Sequence, residues 1–147
     1  MGLIDDVGGG PVALDTVVFI YFMEEHAAFL PHVEPLFEAI DSGRRQAVTS
    51  GLTLLEVLVV PFRAGDLSLA ERYEALLTRS RGLRMVDIDH GQLRAAAEIR
   101  AVYPQVRTPD ALQLAAAAAS QCSALVTNDR QMPALPGLRV LQISDYT

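Results

Sequence analysis

Short, mostly apolar runs alternate along this chain with longer segments whose apolar residues recur at helical spacing. The short runs are Val12 to Leu14, QAVTS at 46–50, LRMVDI at 83–88, ALVTN at 124–128 and LRVLQI at 138–143. Apolar strands of this kind, with helices between them, mark a parallel sheet buried on both faces; a strand exposed on one face alternates apolar with polar residues. We therefore expect an α/β fold, a three-layer α/β/α sandwich around a short parallel sheet.

The helical segments carry their own boundaries. Between 31 and 40, Val33, Leu36, Phe37 and Ile40 share one face, with Glu34 and Glu38 between them and Gly43 as the stop. Ser50 is placed to cap LTLLEVLVVPF at 52–62, where Pro61 would end or kink the helix. Along 68–80, Leu69, Tyr73, Leu76 and Leu77 fall at helical spacing, and we read them as core rather than interface. Asp89 caps the segment 91–104. Thr108-Pro109-Asp110 then opens the alanine-rich helix with a capping residue, a proline and an acid in the first turn. Residues 16–23, TVVFIYFM, fit a helix or a continuation of the first strand, since periodicity does not separate the two.

A chain of 147 residues, half of them apolar, reads as one domain. MGLIDDVGGG reads as a flexible extension over 1–10, too acidic and glycine-rich for a signal peptide, which leaves 11–147 for the folded domain. The longest apolar stretches fall short of the roughly 20 residues that span a bilayer, so no membrane association is expected. A lone Cys122 agrees with a reducing cytoplasm. The net charge of −6, with 12 basic residues that are all Arg, argues against a broad basic nucleic-acid surface. It leaves room for a nuclease that meets its substrate through metal ions and a few arginines.

Four acids stand in or beside apolar segments: Asp15 after the first strand, Glu56 inside LTLLEVLVV, Asp110 at the start of the alanine-rich helix and Asp129 after ALVTN. Desolvating a lone carboxylate is costly unless it finds a partner. Three of them also have local roles open to them: Asp15 as an N-cap, Asp110 against a helix dipole, Asp129 in a turn. Glu56 is different, because Leu52, Thr53, Val59 and Val60 flank it at three and four residues and place it on an apolar helix face. In an open parallel sheet the binding crevice lies beyond the carboxyl ends of the strands, where Asp15 and Asp129 fall. A shared divalent cation would satisfy the set. Carboxylates without His, Cys or Lys select Mg²⁺ or Mn²⁺ before Zn²⁺, and phosphodiester hydrolysis is the chemistry such a set serves.

Other chemistries lack their residues. No Gly-rich GK[ST] loop exists, and GGG at 8–10 precedes a strand instead of following one. His26, His32 and His90 show no ligand spacing. There is no lysine for a receiver-type pocket, and Thr16-Val17 after Asp15 breaks the Asp-x-Asp of a haloacid-dehalogenase-like nucleophile.

From about Val12 onward the chain resembles the PIN-domain ribonucleases, most closely the VapC-type toxins of bacterial type II toxin–antitoxin pairs. LDTVVFIYF is similar to the family's opening motif, TLLEVL to its second, LRAAAEIRAVYPQVRTPDALQLAAAAA to its third and ALVTNDRQMPALPGLRVL to its fourth. The resemblance implies that Asp15, Glu56, Asp110 and Asp129 are the catalytic, metal-binding acids, with Mg²⁺ or Mn²⁺ as cofactor. It implies supporting roles for Thr16 and Thr127, the latter orienting a metal water or the last aspartate, and RNA-phosphate contact by Arg107 and Arg130. It further implies an RNA substrate, a homodimer and a cognate protein antitoxin whose tail fills the acidic cleft. Val17 departs from the family, which more often has a small polar residue there, and the N-terminal extension is a second departure. On sequence alone two other functions stay open: a PIN-like module that has lost catalysis and holds a basic peptide, and a DNA-directed nuclease.

Overall fold

The computed structural model describes residues 2–147. Its strands are β1 Val12–Leu14, β2 Ala47–Ser50, β3 Leu83–Val86, β4 Ala124–Thr127 and β5 Arg139–Gln142, all parallel, in the order β3-β2-β1-β4-β5. The helices are α1 Leu3–Asp6, α2 Thr16–Met23, α3 Leu30–Asp41, α4 Leu52–Arg63, α5 Leu67–Arg79, α6 His90–Val102 and α7 Thr108–Ala119, followed after β5 by a 3-10 turn at Ile143–Tyr146.

Successive strand residues point to opposite faces, and each face meets its own helical layer. Val12, Leu14, Ala47 and Val126 join Phe19 of α2, Leu36 and Phe37 of α3 and Tyr73 of α5 in one core. Ala13, Val48 and Leu125 join Ala96 of α6 and Leu114 of α7 in the other. The three central strands are buried throughout, whereas the edge strands β3 and β5 keep exposed positions. This is the three-layer sandwich expected from the apolar runs. Strands β2 and β3 extend from one side of β1 and strands β4 and β5 from the other, so the segments leaving β1 and β4 diverge and open a crevice between them.

Within this frame TVVFIYFM is a helix, because the Asp15 carboxylate accepts the Thr16 amide at 2.8 Å and turns the chain out of the strand. Tyr73 and Leu77 are buried and Leu69 and Leu76 lean on the same core, as their spacing suggested. Pro61 does not end its helix: α4 runs on to Arg63 and stops at Ala64-Gly65, where Gly65 takes φ +69°. The cap position of α4 is Gly51, with the Ser50 hydroxyl accepting the Leu52 amide at 3.2 Å, and α7 starts one residue earlier than expected, with Arg107 at its cap.

Residues 2–10, expected as a flexible extension, are packed against the domain in this structure. Leu3 and Val7, one helical turn apart, are fully buried in the core that holds α3. The segment is held by its polar groups as well: Arg139 donates to the Asp6 carbonyl at 2.8 Å, Tyr146 donates to the Asp6 carboxylate at 2.6 Å and Arg45 donates to the Gly8 carbonyl. Two apolar residues spaced by four among acids and glycines are enough to fasten a short helix to a waiting groove.

Candidate active site

The crevice beyond β1 and β4 is a cleft of about 490 Å³, and Asp15, Glu56, Asp110 and Asp129 all line it, together with Thr16, Val17, Ile20 and Arg107. Four elements deliver the acids: the β1–α2 junction, α4, the first turn of α7 and the segment after β4. Asp15 is held on both oxygens, one by the Thr16 amide and the other by the Thr127 hydroxyl at 2.6 Å. Glu56 accepts the Thr16 hydroxyl at 2.6 Å. The Asp129 amide donates to Thr127 Oγ1 at 3.0 Å, and the Asp129 side chain accepts the Gln131 amide at 2.9 Å. Thr127, completely buried, therefore fixes the first aspartate's side chain and the last one's backbone at once.

The charges in the cleft repel one another. Burial raises the Asp15 carboxyl above the usual carboxylate range; hydrogen bonds from Thr127 and Thr16 oppose this, while Glu56 and Asp129 add to it. Asp110 is pushed up to about 6, first by burial, then by the negative charges of Asp129 and Asp15 and a shared hydrogen bond with Asp129, against the pull of Arg107. Arg107 is a weak counterweight, mostly exposed and 4.0 Å from the Asp110 carboxylate. Among the described residues no three acidic, His or Cys side chains close into a ready-made cage. The carboxylates line an open cleft, with all-oxygen donors, unneutralised charge and room for water, and this fits a hard cation that keeps part of its hydration shell.

The match to known proteins bears on this site. The PIN domain profile matches residues 12–138. The chain belongs to the PIN domain family. The PIN fold here is similar to that of VapBC2 from Rickettsia felis, solved with a DNA fragment from its promoter, at TM-score 0.69 and 18% identity over 90% of this chain and 98% of that one. It is similar to DNA-bound VapBC from Salmonella typhimurium at TM-score 0.63 and 24% identity, over 91% and 98% of the two chains. VapC20 from Mycobacterium tuberculosis, a sarcin–ricin loop cleaving toxin, aligns at TM-score 0.63 and 16% identity, over 78% and 86%. No curated protein sequence matches.

Of the residues singled out from the PIN resemblance, only Arg130 lies apart. Its guanidinium sits 2.6 Å from Asp145 and 2.9 Å from Ser144, tied to the C-terminal turn and not to the cleft. The residue that sequence reasoning missed is Gln113. It is buried, one turn beyond Asp110 on α7, and bonded to the Ser50 amide and to Thr53. A glutamine in an otherwise Ala/Leu run, three residues after a candidate ligand, was its signal.

Proposed function

We propose that this chain is a metal-dependent endoribonuclease that acts as the toxin of a toxin–antitoxin pair. The observation that carries the reading is the meeting of four carboxylates, drawn from four separate elements, in one cleft at the carboxyl edge of the sheet. Burial, with mutual repulsion adding to it, raises Asp15 and Asp110, and a bound Mg²⁺ or Mn²⁺ would offset both by favouring the charged carboxylates. When bound, such a cation supplies a water activated for attack and charge stabilisation on the phosphodiester. The chain's own part is to hold Asp15 by two hydrogen bonds, Glu56 through Thr16 and Asp129 through Thr127, and to place Arg107 at the rim where a substrate phosphate would pass. Solved proteins with the same fold are described as toxin–antitoxin complexes, and one as a sarcin–ricin loop cleaving toxin.

Two protein partners belong to this reading. The acidic cleft suits a basic segment of an antitoxin. The strip Leu55, Val59 and Phe62 on α4, with Leu67 beside it on α5, is exposed and uncharged, and suits a second copy of the chain, since an apolar strip pairs with itself without charge complementarity.

The test is cleavage of single-stranded RNA by purified protein with Mn²⁺, against flapped DNA as the competing substrate. Asp15→Asn keeps the oxygen that caps α2 and removes the charge, so it should leave the fold intact and abolish cleavage, as should Asp129→Asn. Wild-type protein that cuts neither RNA nor DNA would end the enzyme reading; a preference for flapped DNA would redirect it.

A further inference from the structure

Beneath the cleft, and reaching it at Thr16, lies a buried polar network. Gln113, Thr49, Ser50, Thr53 and Thr16 are all buried. The Gln113 amide joins them: its oxygen accepts the Ser50 backbone N–H at 3.1 Å, and its nitrogen donates to Thr53 at 2.8 Å and to Thr16 at 3.4 Å. A backbone N–H can only donate, so the amide has one orientation, with the oxygen toward Ser50 and the NH₂ toward the threonines.

The hydroxyl protons follow from that orientation. The Leu14 carbonyl can only accept, so Thr49 donates to it at 2.7 Å. Thr53, already receiving from Gln113, gives its proton to Thr49 at 2.6 Å. Thr16 likewise receives from Gln113, and its own proton goes to Glu56 at 2.6 Å. The network is therefore directional and ends on a cleft carboxylate as a donated hydrogen bond. A buried set of this size is costly when only partly satisfied, and an apolar replacement would fill the same space without the polar groups. What the polar version adds is a fixed direction for the Thr16 hydroxyl.

We propose that Gln113 is a positioning residue for the acidic site: by orienting Thr16 it holds the Glu56 carboxylate toward the cleft as a ligand. It touches neither metal nor substrate. This rests on the metal-nuclease reading above.

Gln113→Met keeps length and apolar bulk and removes both halves of the amide. We expect Mn²⁺ binding, measured by calorimetry on the folded variant, to weaken roughly tenfold, the scale of outer-shell ligand support. The kcat for RNA should fall with KM unchanged, and a crystal structure of the variant should show Glu56 no longer bonded to Thr16. A merely structural role would lower the melting temperature and leave Mn²⁺ affinity, kcat and the Thr16–Glu56 contact as in wild type; that result overturns the inference. Should Gln113→Met fail to fold, Thr53→Ser and Thr53→Val decide. Ser keeps the hydroxyl and should bind Mn²⁺ like wild type, whereas Val should weaken it; equal affinities overturn the proposal. Wild-type protein that neither binds Mn²⁺ nor cuts RNA overturns the functional reading and this inference together. Wild-type binding matched by a well-folded Gln113→Met overturns the inference alone.

Discussion

Asp110 and Asp129 are both acids and line the same cleft, so the negative charge of Asp129 adds to burial in raising the Asp110 carboxyl. A carboxyl raised from 3.8 to about 6 binds its proton more tightly folded than unfolded. Its contribution to stability is complete below the unfolded value and is lost as pH rises through about 6. Asn at the same position has no such dependence. The stability of wild type relative to Asp110→Asn, from urea unfolding in EDTA, should therefore fall as pH rises from 3.8 to about 6 and level off above that. Asp15 shifts in the same direction and should add to the wild-type slope. Saturating Mn²⁺ at pH 7 should recover the loss, since a ligand that binds only the folded state stabilises it. A difference that stays flat with pH would show that the two acids do not feel one another. Arg130 makes the complementary point: a cation adjacent in sequence to Asp129 serves the C-terminal turn, because the chain direction after β4 carries its side chain toward Asp145.

At the scale of elements, each helix end that reaches the cleft does two jobs. Asp15 caps α2 and faces the cleft; Asp110 sits in the first turn of α7, where an acid is favourable, and also lines the cleft. Helix α4 is divided differently, with Glu56 toward the cleft, Thr53 buried against Gln113, and Leu55, Val59 and Phe62 toward solvent. Phe62→Glu places a charge in the middle of that outer strip. If α4 pairs with a second copy, sedimentation should give a dimer for wild type and a monomer for Phe62→Glu, with the melting temperature of the folded monomer little changed because position 62 is exposed. A wild-type monomer at all concentrations would remove the second copy from the scheme.

For the molecule as a whole, the sheet order decides where chemistry can sit. Strands β1 and β4 are neighbours although 112 residues separate Asp15 from Thr127, and their adjacency lets one buried threonine serve both ends of the acidic set. The same closure recruits the N-terminus, where Leu3 and Val7 complete a core made by strands and helices far along the chain. Leu3→Ala should cost about 2 kcal/mol in chemical denaturation, the lower end for a large-to-small core change, because a short terminal helix can shift to refill part of the space. A flexible extension would show no change.

The apolar runs, their spacing and the caps were enough to read the sandwich, the parallel sheet and the four acids, because local burial pattern and helix-end chemistry are written in neighbouring residues. Glu56 was legible for the same reason, an acid on an apolar helix face. Gln113, the double role of Thr127, the commitment of Arg130 to Asp145 and the docking of Leu3 were not, since each depends on a contact made across the fold. By itself the sequence determined which segments must be buried and which residues cannot be buried alone. Only the tertiary structure decided which of those residues meet, because hydrogen bonds and charge repulsion act over a few ångströms between groups that strand order brings together.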